Sequence, residues 1–137
     1  MAYWLLKSEP VKYSWERMRQ DGRTHWDGVR NHQAAANLRA MRLGEKAFFY
    51  HSNEGLEIVG IVEIVREFYA DAAELSGKFG NVDVCALESL AQPVSLKLMK
   101  AHPLLSGMAL VRQSRLSVCP VGEAEWAEIC RLGGVAA

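Results

Sequence analysis

Trp26, Gly28, Arg30 and Asn31 lie together in the short stretch Thr24-His25-Trp26-Asp27-Gly28-Val29-Arg30-Asn31. A tryptophan ring can stack on a planar ligand, a contact worth about 1–3 kcal/mol with a nucleobase. An asparagine carboxamide sets a donor beside an acceptor, so it can meet the amide-like edge of a base at two points. An arginine can hold a phosphate. Together these residues suit the recognition of a planar polar ligand. Each also has a plainer role: Trp26 as a core plug beside a turn, Asn31 as the cap of the helix that follows, and Arg30 as a solvated charge.

Ser8 and Ser52 are the next candidates. Ser8 follows the apolar run Tyr3-Trp4-Leu5-Leu6, and Ser52 ends Ala47-Phe48-Phe49-Tyr50-His51-Ser52. Both runs read as strands. Strand ends that converge make a rim where hydroxyls and backbone groups face a ligand. His51 is a side chain of the type that titrates near neutrality. Catalysis is the weaker class: the chain has no GxSxG, HExxH or P-loop pattern, and no carboxylate pair stands out by spacing. An enzyme acting on a nucleotide or modified nucleoside, with His51 or Asp83 as general base, remains the alternative.

The elements that must position these residues are short. Ser14 is a suitable N-cap for a helix over Trp15–Gln20, and Asp21-Gly22 stops it. The apolar stripe Ala34, Ala35, Leu38 and Met41 predicts a helix over Gln33–Met41 with Gly44 as its C-cap. Leu56–Val65 is a predicted strand forming a hairpin with Ala47–Ser52, and Gly60 within it marks a bulge or a close backbone approach. Asp71–Lys78 reads as exposed, and Val82–Leu87 as a strand. Leu96 and Met99 suggest a short helix, Leu116–Pro120 a strand, and Glu123–Leu132 a closing helix with Trp126, Ile129 and Cys130 on one side. Hairpin-linked strands with small helices between them predict an α+β fold with a mainly antiparallel, barrel-like sheet.

Composition sets the bounds. The chain has 137 residues, which predicts one domain over 1–137. Sixteen basic residues balance sixteen acidic ones, and half the residues are hydrophobic. That balance gives no support for non-specific coating of DNA or RNA, which needs a basic excess. Cys85, Cys119 and Cys130 lack metal-ligand spacing and are expected as reduced thiols. No membrane span or signal peptide is predicted, so the default is a cytoplasmic protein without metal or cofactor.

Six segments then stand in register with a known family. Tyr3-Trp4-Leu5-Leu6-Lys7-Ser8-Glu9-Pro10, Trp26–Asn31, Phe48–Ser52, Val59-Gly60-Ile61, Val82-Asp83-Val84 and Arg115-Leu116-Ser117-Val118 recur in this order in EVE domains. The chain resembles that family from residue 3 to about residue 130. The resemblance implies a PUA-like fold: a twisted, mainly antiparallel β-barrel flanked by short helices. It implies a non-enzymatic reader that holds a modified nucleobase in an aromatic pocket, foremost 5-methyl- or 5-hydroxymethylcytosine in DNA, with a modified RNA base also considered. The pocket it implies falls on Ser8, Trp26, Asn31 and the Tyr50-His51-Ser52 strand end; the full binding set expected adds Gly28, Val29, Arg30 and Phe79, with Arg30 and the neighbouring Arg39, Arg42 or Arg115 holding phosphates. Phe79 stands where the family commonly has Trp, and a Phe offers less ring area and no indole N–H. An unidentified effector protein is the expected partner besides the nucleic acid. An adaptor with the same fold and no ligand is the third reading.

Overall fold

The computed structural model describes residues 1–137. The chain runs β1 (Tyr3–Ser8), α1 (Trp15–Asp21), β2 (Arg23–Trp26), α2 (His32–Ala40), β3 (Lys46–His51), β4 (Glu57–Ala70), β5 (Gly80–Ser95), α3 (Leu96–Ala101), α4 (Ala109–Arg112), β6 (Val118–Val121) and α5 (Glu123–Gly133). The strands form one six-stranded sheet in the order β2-β5-β4-β3-β1-β6. Every pairing is antiparallel except β1 with β3, which run parallel. The expected barrel is not closed: β2 and β6 are the two edges and share no ladder.

Sequence explains why β1 and β3 lie inside. Trp4-Leu5-Leu6 and Ala47-Phe48-Phe49-Tyr50 are unbroken apolar runs, and all of these residues are buried. A strand covered on both faces has no reason to alternate. Successive side chains still point to opposite faces. Phe48 stacks on Trp126 of α5 with ring centroids 3.9 Å apart. Phe49 turns the other way and meets Trp15 at 5.1 Å and Trp26 at 5.6 Å. One core therefore faces α5, and the other lies toward α1 and the functional candidates.

Gly60 is required by that second packing. A Cβ there would lie 2.2 Å from the Trp15 ring. The ladder also shifts register between Phe49 and Tyr50, opposite Ile58 and Gly60, so the bulge and the close approach occur together. Trp15 is fixed further by its indole N–H, which donates to Ser89 Oγ at 2.8 Å.

Local signals mark some ends well. Ser14 Oγ accepts from the Arg17 N–H, and Asn31 Oδ1 accepts from the Ala34 N–H. Gly44 does not cap α2. The helix ends at Ala40, Met41 turns extended into the core, and Gly44 takes its positive φ of 84° in the turn before β3. β4 and β5 run well past the predicted strands because they pair with each other beyond the core, where Arg66 lies over the Tyr69 ring at 3.6 Å. Neither β2 nor α4 was expected. No helix is long and apolar enough to cross a membrane.

Candidate functional site

β1 and β3 run parallel, so their C-terminal ends emerge side by side: Ser8 pairs with His51, and the Ser52 N–H donates to the Ser8 carbonyl at 2.9 Å. At this edge opens a cleft of about 630 Å³. Lys7, Ser8 and Glu9 line it from β1 and its exit, Ser52 and Asn53 from the exit of β3. Lys12 and Tyr13 come from the segment before α1, and Thr24, His25, Trp26 and Asp27 from β2 and its exit. Ser114, Arg115 and Ser117 come from the segment that enters β6. The cleft thus draws on both edges of the open sheet and occupies the seam where a barrel would close.

Trp26 is both part of the core and part of the cleft lining. It is only 8% exposed, held at nearly right angles to Phe49 and to Tyr13, yet it lines the cleft. Tyr13, whose hydroxyl donates to Asp21 at 2.7 Å, is the second aromatic of the lining.

Ser8 has a defined polarity. Its hydroxyl donates to the Tyr13 carbonyl at 2.5 Å, so its remaining lone pairs can only accept from a ligand. Such an acceptor suits an exocyclic amine like that of cytosine. Ser52, Ser117 and Thr24 add further hydroxyls. The lining is mixed in charge: Lys7, Lys12 and Arg115 against Glu9 and Asp27. Lys12 lies 3.7 Å from Glu9 and His25 3.4 Å from Asp27, both at the exposed rim. Lys7 donates to the Ser114 carbonyl at 2.8 Å, and burial lowers its pKa, the neighbouring Cys119 thiol working the other way.

Ser8, Trp26, Ser52 and Arg115 therefore come together in this cleft, and the other sequence candidates lie outside its lining. After Trp26 the chain turns away at Gly28, whose φ of 75° suits glycine. Val29 plugs the core. Arg30 pairs with Asp71 at 2.9 Å, and Asn31, spent in part on its cap, lines a smaller neighbouring cleft. Tyr50 is buried. Phe79 does not supply an opposite wall: it packs on His32 at 5.1 Å, with Arg30 above its ring. Arg39 donates to the Lys78 carbonyl and Arg42 to the Arg39 carbonyl, so both serve the surface of α2. The lining residues outside the predicted binding set are Lys7, Glu9, Lys12, Tyr13, Thr24, His25, Asp27, Asn53, Ser114 and Ser117. The one usable signal was an aromatic, Tyr13, in the polar turn ahead of the Ser14 cap.

His51 and Asp83, the candidate general bases, are engaged elsewhere. Asp83 accepts from the Tyr69 hydroxyl at 2.5 Å and from Arg23 at 3.0 Å. Burial works to raise its pKa, but those two bonds hold it below the ordinary carboxylate value. His51 Nε2 accepts from the Trp15 N–H at 3.0 Å, at the start of α1, and so carries no proton. Burial lowers the His51 pKa below its usual 6.5, opposed by the charge of Glu57. The unfolded chain takes up this proton first as pH falls, so the associated stability is present above about pH 6.5 and is lost on acidification below it. The urea midpoint is expected to drop between about pH 7 and 5, and His51→Gln, which keeps an acceptor that does not titrate, should flatten that drop. An unchanged slope in the variant would place the loss elsewhere. No group of three or more His, Cys, Asp or Glu gathers to hold a metal ion.

Comparison with known proteins sets this geometry in context. The profile of the EVE domain family matches residues 2–132. Thymocyte nuclear protein 1 of Gallus gallus is 37% identical over an alignment that covers 91% of this chain and 66% of that protein. The chain thus spans about two thirds of that relative's length. Among solved structures, protein Atu2648 from Agrobacterium tumefaciens is 52% identical with a TM-score of 0.96, covering 99% of this chain and 95% of that one. Human THYN1 protein in complex with 5-methylcytosine containing DNA is 32% identical with a TM-score of 0.90, covering 100% of both chains.

Proposed function

The chain belongs to the EVE domain family, with a PUA-like fold, and from that premise we propose that residues 1–137 form one domain that reads a modified nucleobase without catalysing a reaction. The base is that of DNA carrying 5-methyl- or 5-hydroxymethylcytosine, with a modified RNA base as the related ligand. The observation that carries the reading is the cleft at the seam, set in a fold that superimposes over its full length on a protein solved with 5-methylcytosine containing DNA.

In this reading a flipped or unpaired base enters between the exits of β1 and β3 and the edge of β2. Trp26 and Tyr13 contact its ring. Ser8 accepts from its amine, and Ser52 and Thr24 meet the rest of its edge. Burying one methyl group contributes about 0.8 kcal/mol, close to a fourfold preference over the unmodified base. Taking a base out of a duplex costs a few kcal/mol, so single-stranded or mismatched sites bind more tightly. Binding alone changes no bond, so the protein acts through an effector that it brings to the site.

Calorimetry with short single and double strands carrying unmodified, 5-methyl- and 5-hydroxymethylcytosine tests this, with an N6-methyladenine RNA as the counter-test. Selective binding is expected, reduced about tenfold by Trp26→Ala, the lower range of a stacking contact. Trp26→Phe, which keeps a ring in the core, should retain part of it, and Ser8→Ala should weaken cytosine binding with the circular dichroism unchanged. Equal weak affinity for every strand would sink the reading.

A further inference from the structure

The smaller cleft beside the seam has a volume of about 320 Å³ and shares two lining residues, Ser114 and Arg115, with the base cleft. Its lining differs in kind. The base cleft carries Glu9 and Asp27, whereas this one has no carboxylate. Arg112 and Arg115 bring two guanidinium groups, and Gln33, Gln113 and Ser114 bring neutral donors.

The arginines elsewhere are mostly engaged. Arg17, Arg23, Arg30 and Arg131 hold carboxylates, Arg39 and Arg42 hold carbonyls, and Arg66 lies on a tyrosine ring. Arg112 and Arg115 are exposed and form no ion pair or side-chain hydrogen bond within the chain. The segment that carries them is braced. The Lys7 ammonium donates to the Ser114 carbonyl at 2.8 Å, the Lys7 N–H to the Ser117 carbonyl at 3.0 Å, and the Leu116 N–H to the Gln113 carbonyl at 3.1 Å. Leu116 itself is buried. Two unpaired cations on a braced segment, in a cleft with no carboxylate in its lining, match a phosphodiester, which a guanidinium can grip with two parallel N–H donors.

We propose that this cleft holds the backbone phosphate next to the inserted base, through Arg112 and Arg115, so that the ligand is a polynucleotide strand and not a free base or nucleoside. The proposal rests on the reader function. The strand enters over Gln113 and Ser114, turns its base into the seam, and leaves its phosphate on the arginines. Affinity then divides between the two clefts: the seam sets the preference for the modification, and the arginine cleft sets the salt dependence.

The test uses the whole chain with 5-methyl-2′-deoxycytidine, matched short single strands of DNA and of RNA that each carry one 5-methylcytosine, and the same strands unmodified. Binding is measured between 50 and 200 mM salt, the range in which each neutralised phosphate contributes a slope of about 0.7 in log K against log salt for single strands. Arg112→Gln is expected to weaken the tighter-binding strand about fivefold and to lower its slope by about 0.7, leaving nucleoside affinity and the methylated-to-unmodified ratio unchanged. Arg19→Gln, an exposed arginine on α1 outside both clefts, removes the same charge and should leave the slope as it is. An unchanged slope in Arg112→Gln, or an equal drop in Arg19→Gln, with Trp26-dependent selectivity intact, would overturn the phosphate cleft and leave the reader standing. Absence of Trp26-dependent binding to any strand would remove both.

Discussion

Trp126→Ala is expected to cost about 3–5 kcal/mol of stability, the range found when a large buried aromatic is truncated. Trp126 is 1% exposed and lies between Tyr3, 4.4 Å from its ring centroid, and Phe48, 3.9 Å away, with the planes within about 16° of parallel. This three-ring stack fastens α5 to the sheet through β1 and β3, and each aromatic pair adds about 0.5–1.5 kcal/mol beyond the area it buries. Against a total of about 5–15 kcal/mol, the loss leaves a marginal domain. Urea unfolding followed by circular dichroism reads it directly. Trp126→Phe separates the stack from the indole's polarity, because the Trp126 indole N–H is buried without a partner. The phenyl ring keeps most of the stack and removes that stranded donor, so it should cost less than half as much. Equal costs for the two variants would show that the stack is not what holds α5.

Glu45→Ala is expected to cost about 2–3 kcal/mol, because it strands the buried Trp4 indole N–H and takes the acceptor from two part-buried backbone N–H groups. Glu45 is 7% exposed, and one of its carboxylate oxygens accepts from the Trp4 indole N–H and the Arg42 N–H, the other from the Ala2 N–H, each at 2.9 Å. It ties β1 to the turn that enters β3. Burial pushes its pKa upward, but the bonds from Trp4, Ala2 and Arg42 outweigh that and hold it below 4.5. The stability linked to this group is therefore present above about pH 4.5 and lost as pH falls through the lower folded value. In Glu45→Gln one oxygen still accepts while an amide nitrogen now faces a donor. That variant should lose about 1–2 kcal/mol at neutral pH and show a shallower acid transition than the parent chain. A cost for Glu45→Ala below about 0.5 kcal/mol, the range of an ordinary surface change, would contradict the account.

The features readable from sequence were those written locally. The Ser14 and Asn31 caps each rest on a side chain and an N–H three residues on. The apolar runs of β1 and β3 announce burial, and their polar ends announce Ser8 and Ser52. The four-residue strand β2 was hidden between two turn signals, Asp21-Gly22 and Asp27-Gly28, with its polar residues facing outward on a sheet edge. The rest of the cleft was beyond local reading. Ser114, Arg115 and Ser117 reach it only because β6 pairs with β1 from far along the chain, and loop residues have no period that reveals a direction. Phe79 is assigned by its place in a family pattern, but its own carbonyl accepts from the Asp71 N–H and its N–H donates to the Glu74 carboxylate, which sets the ring against His32. Arg39 and Arg42 had the right charge, and only their hydrogen bonds show that they are occupied.

The position of β1 has a consequence for how the protein is made. Tyr3–Ser8 lies upstream of both its neighbours, pairing with β3 at Lys46–His51 and with β6 at Val118–Val121. A nascent chain must carry this apolar strand unpaired on one edge until β6 has left the ribosome. Such an edge is a template for association with other chains. Pairings of this sequence separation are slow to form, in the millisecond-to-second range for sheet-rich domains. A chain cut after α4 would keep β3 against β1 and leave the β6 edge open, so it is a substrate for chaperones and aggregation alike. The same late pairing delivers Ser117 and Arg115 to the seam, so a molecule competent to bind is one that has finished folding.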